Sequence, residues 1–423
     1  MALSFSKITN QYRVNSPASY YSSSTFPCTE LGCYSIDKDG TLHNNDRREL
    51  RSLKTNYKQL LDSDLSAGFT RSKGDYFFKN IERPFDALLY WTVQNKDKLL
   101  KEDDTCGNKR LDVDFVLTRG TMKRLLATVF NTGNFKTPWK MYAVKYNGTI
   151  YISHVEEVRP RTGGDIREPK LRCQTREEEL GKISYMGKQF EVVISEAPTQ
   201  DTSSANGDRG IAVEERQGFY SVSVGTFGGR HRLLTRSEVD GIENGTYIEM
   251  KMCMEYTGRE EWKFPMYKLR DWWYHMYAGD MKKIIYGIRD GTRLVRLSSL
   301  GRESIPSQIR YPTMSCPPRV GQALSSWDPR SCVGFVDDFL QWLKGIVVED
   351  ACKGPGPVMQ YKLEWNVGLP EEVSCTRSEA ANCDYVLLPP WFTQKMSLAF
   401  QGQTTLDSLQ SSISNIHITS NTT

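Results

Sequence analysis

The spacing of apolar positions changes several times along the chain, and each change marks a predicted element. Across residues 82–100, Phe85, Leu88, Leu89, Trp91 and Thr92 recur at helical intervals and predict an amphipathic helix that opens the folded body. Residues 112–118 alternate like a strand, and 122–130 return to helical spacing. Residues 141–155 read as two strands around Asn147-Gly148, a dipeptide that accepts the positive φ of a tight hairpin turn. Residues 176–195 begin with acidic side chains, which the positive end of a helix dipole favours, and keep helical spacing through Glu191. Strand-like runs follow at 219–224, 233–239 and 247–254, then an aromatic helix at 268–276. A strand pair at 284–288 and 292–297 flanks Asp290-Gly291, a helix covers 333–347, and a last strand covers 358–366. This alternation predicts an α/β (α+β) fold with mixed central β-sheets flanked by helices.

Composition sets the size of the core and its borders. Single cores stop growing near roughly 250 to 300 residues, so 423 residues with 39% hydrophobic and 11% aromatic side chains predict one enlarged domain. Residues 15–26 and 403–423 are rich in Ser, Thr and Asn and carry too little apolar area to offset the entropy of ordering them. The expected division is a flexible segment over 1–27, a single folded domain over 28–396 and a disordered polar tail over 397–423. Residues 156–161 and 198–209 read as surface loops. A formal charge of +4 is nearly balanced, so any contact with nucleic acid is local. The 10 cysteines include no CxxC pair and no His stands at zinc spacing, which predicts reduced thiols and no zinc. With no apolar leader and no run of about 18 apolar residues, the expectation is an intracellular chain, nuclear or cytoplasmic, without a membrane span. The Asn147 and Asn244 sequons are then hairpin corners.

The candidate chemistry lies in Glu238-Val-Asp240 and Glu249-Met-Lys251, because residues i and i+2 of a strand project to one face. The turn-rich linker at 241–246 lets the two strands pair as a hairpin and brings Asp240 near Glu249. Converging carboxylates raise one another's pKa and call for a cation, and hard oxygen ligands suit one or two Mg2+ or Mn2+ ions. Lys251 is placed to orient water or to neutralise charge on a scissile phosphate. Such Glu-x-Lys triplets are common, and a Glu/Lys pair on a strand is as a rule a solvated face.

Further segments, in order, narrow the reading. They are Glu30 to Asp37, Phe115-Val-Leu-Thr-Arg119-Gly120, Gly187-Lys-Gln-Phe-Glu191, Ser237-Glu-Val-Asp240, Ile248-Glu-Met-Lys251, Lys268 to Trp273, Ile285 to Asp290 and Leu387 to Trp391. Together they resemble the DXO/Rai family of RNA 5′-end decapping nucleases over residues 28–396, with a core similar to Asp…Glu-x-Lys metal-dependent nucleases. The resemblance implies that Glu191, Glu238, Asp240 and Glu249, with the Met250 carbonyl, hold the metal and that Lys251 touches phosphate or water. It implies that Arg119 and the Gly120 amide bind 5′-phosphates, beside Thr118, where Trp is usual, with Tyr220 as a wall. His275 stands in place of a substrate-contacting Gln, Lys188 in place of an aromatic, and Gly40 where some members carry an Arg. The implied activity is hydrolysis of incomplete or non-standard caps or pyrophosphate, followed by 5′-3′ degradation. The alternative is an RNA-end sensor or a partner of a separate exoribonuclease. Of Trp272 and Trp273, adjacent on a helix, at least one is expected in the core.

Overall fold

The computed structural model describes residues 9–15, 19, 20, 22, 25–70, 84–102, 108–130, 138–155, 171, 173, 175–198, 217–310, 316–348, 358–366, 372–378 and 385–401. The expected loops at 156–161 and 199–209 and the tail from 402 onward lie outside these residues.

Two mixed sheets carry the fold, flanked by helices as the sequence predicts. The ten-stranded sheet runs Thr9–Arg13, Glu372–Ser378, Gln360–Asn366, Trp139–Tyr146, Thr149–His154, Phe115–Thr118, His231–Val239, Gly218–Phe227, Cys28–Ile36, Leu42–Asn44. The six-stranded sheet runs Ser195–Glu196, Ser52–Leu53, Gly241–Glu243, Thr246–Met254, Lys283–Asp290, Arg293–Gly301. Strand alternation divides the core of the larger sheet. Phe115 and Leu117 join Met122, Leu125 and Phe335 on one face, whereas Val116 joins Leu88, Trp91 and Phe392 on the other. In the smaller sheet, Ile248, Met250 and Ile285 pack against Met186, Phe190 and Ile194 of helix Arg176–Ile194.

Both Asn-Gly hairpins form, with Asn147 at φ 47° and Asn244 at φ 48° followed by Gly148 at 80° and Gly245 at 78°. The 241–246 segment holds more than a turn. Gly241–Glu243 is itself a strand, paired antiparallel so that Gly241 faces Ile248. Strand His231–Val239 ends in the large sheet and Gly241 begins in the small one, so Asp240 is the residue at which the chain changes sheets. The 122–130 helix begins earlier, as Arg119–Ala127, because the Thr118 hydroxyl caps it by accepting from the Thr121 amide at 3.3 Å. Trp272 and Trp273 are both buried in the core.

Two borders differ from the expected division. The 1–27 segment was expected to be loose, yet Thr9–Arg13 pairs with Glu372–Ser378, and the Tyr12 ring lies 5.1 to 6.1 Å from those of Phe335, Phe339 and Trp342. At the other end, helix Pro390–Phe400 runs past 396 and sets Phe400 against Tyr146. In both cases one or two aromatic anchors outweigh the polar average of the segment. Among the described residues no helix is long and apolar enough to cross a membrane.

Gly287 shows how tightly the helix Arg176–Ile194 lies on the sheet, since a Cβ there would sit 2.5 Å from a Phe190 ring carbon and 2.7 Å from Leu294 Cδ1. Overpacking of this kind costs about 1–3 kcal/mol. The substitution Gly287→Ala is therefore expected to lower the urea midpoint by that equivalent, and an unchanged midpoint would show that the helix can lift off the sheet freely.

Candidate active site at the sheet junction

The change of sheets at Asp240 gathers side chains from four elements. Helix Arg176–Ile194 supplies Lys188 and Glu191, while strand His231–Val239 supplies Glu238. Strand Thr246–Met254 supplies Glu249 and Lys251, and the first turn of helix Arg119–Ala127 supplies Arg119. Periodicity separates chemistry from packing within each element. Met250 turns into the core beside Ile285 while its neighbours Glu249 and Lys251 take the opposite face, and Phe190 packs beneath Glu191.

Three cations bridge the four acids. The Lys188 ammonium lies 2.9 Å from Glu191 Oε2 and 3.6 Å from Glu238 Oε1. The Lys251 ammonium lies 3.0 Å from Asp240 Oδ2, 2.5 Å from Glu249 Oε1 and 3.1 Å from the Met250 carbonyl oxygen. Arg119 Nη1 donates to Glu249 Oε2 at 2.6 Å, and the Met250 amide donates to Asp240 Oδ2 at 2.8 Å. Side-chain exposure falls from 36% at Glu238 to 4% at Asp240 and 0% at Glu249.

Electrostatics follow from these contacts. Burial pushes the Glu191 carboxyl up to about 7, against the pull of Lys188. Burial acts in the same direction on Glu238 and Asp240, but cations prevail there. Lys188 and Arg119 hold Glu238, and Lys251, Arg119 and Lys188 hold Asp240, below the usual carboxylate range. Conversely the acids outweigh burial and hold Lys188, Lys251 and Arg119 protonated, above their ordinary values. Glu249 Oε1 is buried and meets the Lys251 ammonium as an ion pair.

The remaining expected residues surround this cluster at different depths. His275 Nδ1 stands 3.9 Å from Glu249 Oε1 and is buried without a hydrogen-bond partner. Its Nε2 lies 2.6 Å from the Lys123 ammonium, which Asp271 holds at 2.8 Å. An ammonium can only donate, so Nε2 accepts and Nδ1 carries the ring proton, facing Glu249. Burial, then Lys123, Arg119 and Lys251, keep that ring neutral. Gly120 lies in the first helical turn, where amides have no intrahelical acceptor, and a Cβ there would come 3.0 Å from His154. Tyr220 is directly opposite Glu238 in the ladder, 3% exposed, stacked 5.0 Å from Tyr34 and covered by Arg236 at 4.0 Å. Gly40 closes the tight turn after Asp37 with φ 79° and donates to the Asp37 carbonyl at 2.9 Å.

Sequence reasoning passed over Lys123 and Arg236, and noted Lys188 only as a departure. The signals were there. Lys123 is four residues after Arg119 and Lys188 three before Glu191, so each shares a helix face with a site residue.

Comparison with known proteins decides the family. The family model described as RAI1 like PD-(D/E)XK nuclease matches residues 27–393. The chain belongs to that family. It is 26% identical over 380 residues to the decapping and exoribonuclease protein of Bos taurus, spanning 87% of this chain and 85% of the relative. It is 27% identical over 338 residues to decapping nuclease RAI1 of Emericella nidulans, spanning 76% and 82%. Candida albicans Rai1, solved in complex with pU5-Mn2+, superposes with a TM-score of 0.69 at 19% identity, over 92% of this chain and 100% of that one. The fold is thus that of a PD-(D/E)XK nuclease, and the chain is a hydrolase by family.

Nucleases of this family are metal dependent, and the donors at the junction suit a hard divalent ion. Four carboxylates and the Met250 carbonyl offer oxygen donors, and the Glu249 carboxylate is fully buried. Among the described residues no three acidic, His or Cys groups converge closely enough to coordinate an ion as they stand, since Lys188, Lys251 and Arg119 lie between the carboxylates. Removing one cation tests this balance. Arg119→Met leaves the fully buried Glu249 with Lys251 alone, and breaking a buried pair costs about 3–5 kcal/mol. Metal-free variant protein should lose roughly the lower end of that range in urea titration. A loss under about 1 kcal/mol would mean that the pair contributes no more than an exposed one.

Proposed function

We propose that this chain is a metal-dependent hydrolase of RNA 5′ ends, removing incomplete or non-standard caps or pyrophosphate and continuing in the 5′-3′ direction, in RNA quality control. The observation that carries the reading is the meeting of Glu191, Glu238, Asp240 and Glu249 with Lys251 and Arg119 at one junction. Support comes from relatives named for decapping and exoribonuclease activity and from a Rai1 structure that contains pU5 and Mn2+. Residues 28–396, with strand Thr9–Arg13 at the edge, form the catalytic unit.

Glu191, Glu238, Asp240, Glu249 and the Met250 carbonyl are the groups that would hold one or two Mg2+ or Mn2+ ions, which supply Lewis-acid charge at phosphorus and an acidified water. Lys251 leaves its carboxylates to meet the phosphate, and Arg119 offers a planar guanidinium whose charge develops no reorganisation cost in a preformed pocket. The Gly120 amide, fixed by the Thr118 cap, adds a donor for the 5′-phosphates. His275 presents Nδ1–H as a neutral donor, a role that the pull of Lys123 on the other nitrogen enforces. Tyr220, opposite Glu238, forms the wall behind it.

The test uses RNAs labelled at triphosphate, guanosine-capped, nicotinamide-capped and monophosphate 5′ ends, with Mg2+ or Mn2+ and with chelator. Product that requires metal, and that falls at least 100-fold in a Glu238→Ala/Asp240→Ala variant of unchanged fold, is expected. RNA binding without product on any end would overturn the catalytic claim and favour an RNA-end sensor or a partner of a separate exoribonuclease.

A further inference from the structure

The two ammonium groups inside the acid cluster occupy unequal positions. Around Lys251 Nζ stand three oxygens, from Asp240 at 3.0 Å, Glu249 at 2.5 Å and the Met250 carbonyl at 3.1 Å. Around Lys188 Nζ stand two, from Glu191 at 2.9 Å and Glu238 at 3.6 Å. A divalent ion that seeks six oxygens gains more at the first point than at the second. The second point holds its ammonium in an i,i+3 pair within one helix and across the junction against Glu238.

Charge points the same way. Four carboxylates against Lys188, Lys251 and Arg119 leave a single negative charge if all ionise, so one divalent ion reverses its sign and a second would crowd three excess positive charges into a buried junction. Lys251 lies on a strand beside the cluster and can turn toward substrate when displaced. Lys188 instead spans the Glu191–Glu238 end.

We infer that Lys188 takes the place of a divalent ion at the Glu191–Glu238 end, so that this chain binds one catalytic metal ion, at the Asp240–Glu249 end. The inference rests on the metal-dependent reading above. It makes Lys188 the residue that fixes metal stoichiometry, and gives Glu191 and Glu238 an intramolecular counter-ion.

Calorimetric titration with Mn2+, without RNA, reads this directly. The wild-type chain should take up one ion, and Lys188→Met should take up a second. Lys188→Arg, which keeps the charge, should remain at one. Lys188→Gln serves as a second neutral variant, and thermal unfolding of each protein shows whether the fold is kept. Two ions on the wild-type chain, or identical titrations for wild type and both neutral variants at one ion, would overturn the inference while leaving metal-dependent hydrolysis standing. No Mn2+ on wild type with binding restored in the neutral variants would overturn the one-ion assignment, because Lys188 would then exclude metal from the whole junction. No Mn2+ on any of the proteins would overturn the functional reading itself and this inference with it.

Discussion

Carboxylates gathered in a buried junction repel one another and lose their hydration, so they persist only where cations are anchored among them. Here the anchoring is distributed over separate elements. Arg119 comes from a helix capped by Thr118, Lys251 from the strand that carries Glu249, and Lys188 from the helix that carries Glu191. Each cation therefore ties one element to an acid on another or beside it, and the junction depends on all of them being in place. Much of the fold can be understood as the scaffold that holds those elements at one point.

The scaffold achieves this by changing sheets within one residue. A single sheet would place Glu238 and Glu249 on one ladder, at fixed separations along a surface. With Asp240 at the switch, Glu238 stays with the large sheet and Glu249 with the small one, and the acids face each other across a corner. The Met250 amide then secures Asp240 from the side, which makes the corner a hydrogen-bonded one. Packing beneath it leaves little slack, because Phe190 and Met250 sit in the same apolar cluster directly beside Glu191 and Glu249.

Local periodicity made much of this legible in the sequence. Helix Arg176–Ile194, the Asn147-Gly148 and Asn244-Gly245 hairpins and the strand Thr246–Met254 all carry strong spacing or turn signals, so the sequence places the acids on their elements. The division into two sheets was not legible, because nothing in the residues 238–243 distinguishes a strand that continues from one that is handed to another sheet. Nor was the strand Thr9–Arg13, whose pairing depends on Tyr12 finding Phe335, Phe339 and Trp342, more than 300 residues away in the chain. Lys123 was passed over, and Lys188 noted only as a departure, for a related reason: a lysine on a helix reads as surface until the partner elements are in place.

The same distribution of charge explains how His275 can work in place of an amide side chain. An imidazole beside so many acids would ordinarily be drawn toward protonation, and an imidazolium would compete with substrate for Glu249. Burial first, and then Lys123, Arg119 and Lys251, outweigh that pull, and the ring stays neutral. Lys123 also occupies Nε2, leaving one donor, Nδ1–H, directed at the cluster. A neutral ring with one fixed donor offers the same hydrogen bond that an amide N–H would offer. It does so only while Asp271 keeps Lys123 beside the ring, so the donor at the centre is set by an ion pair at the rim.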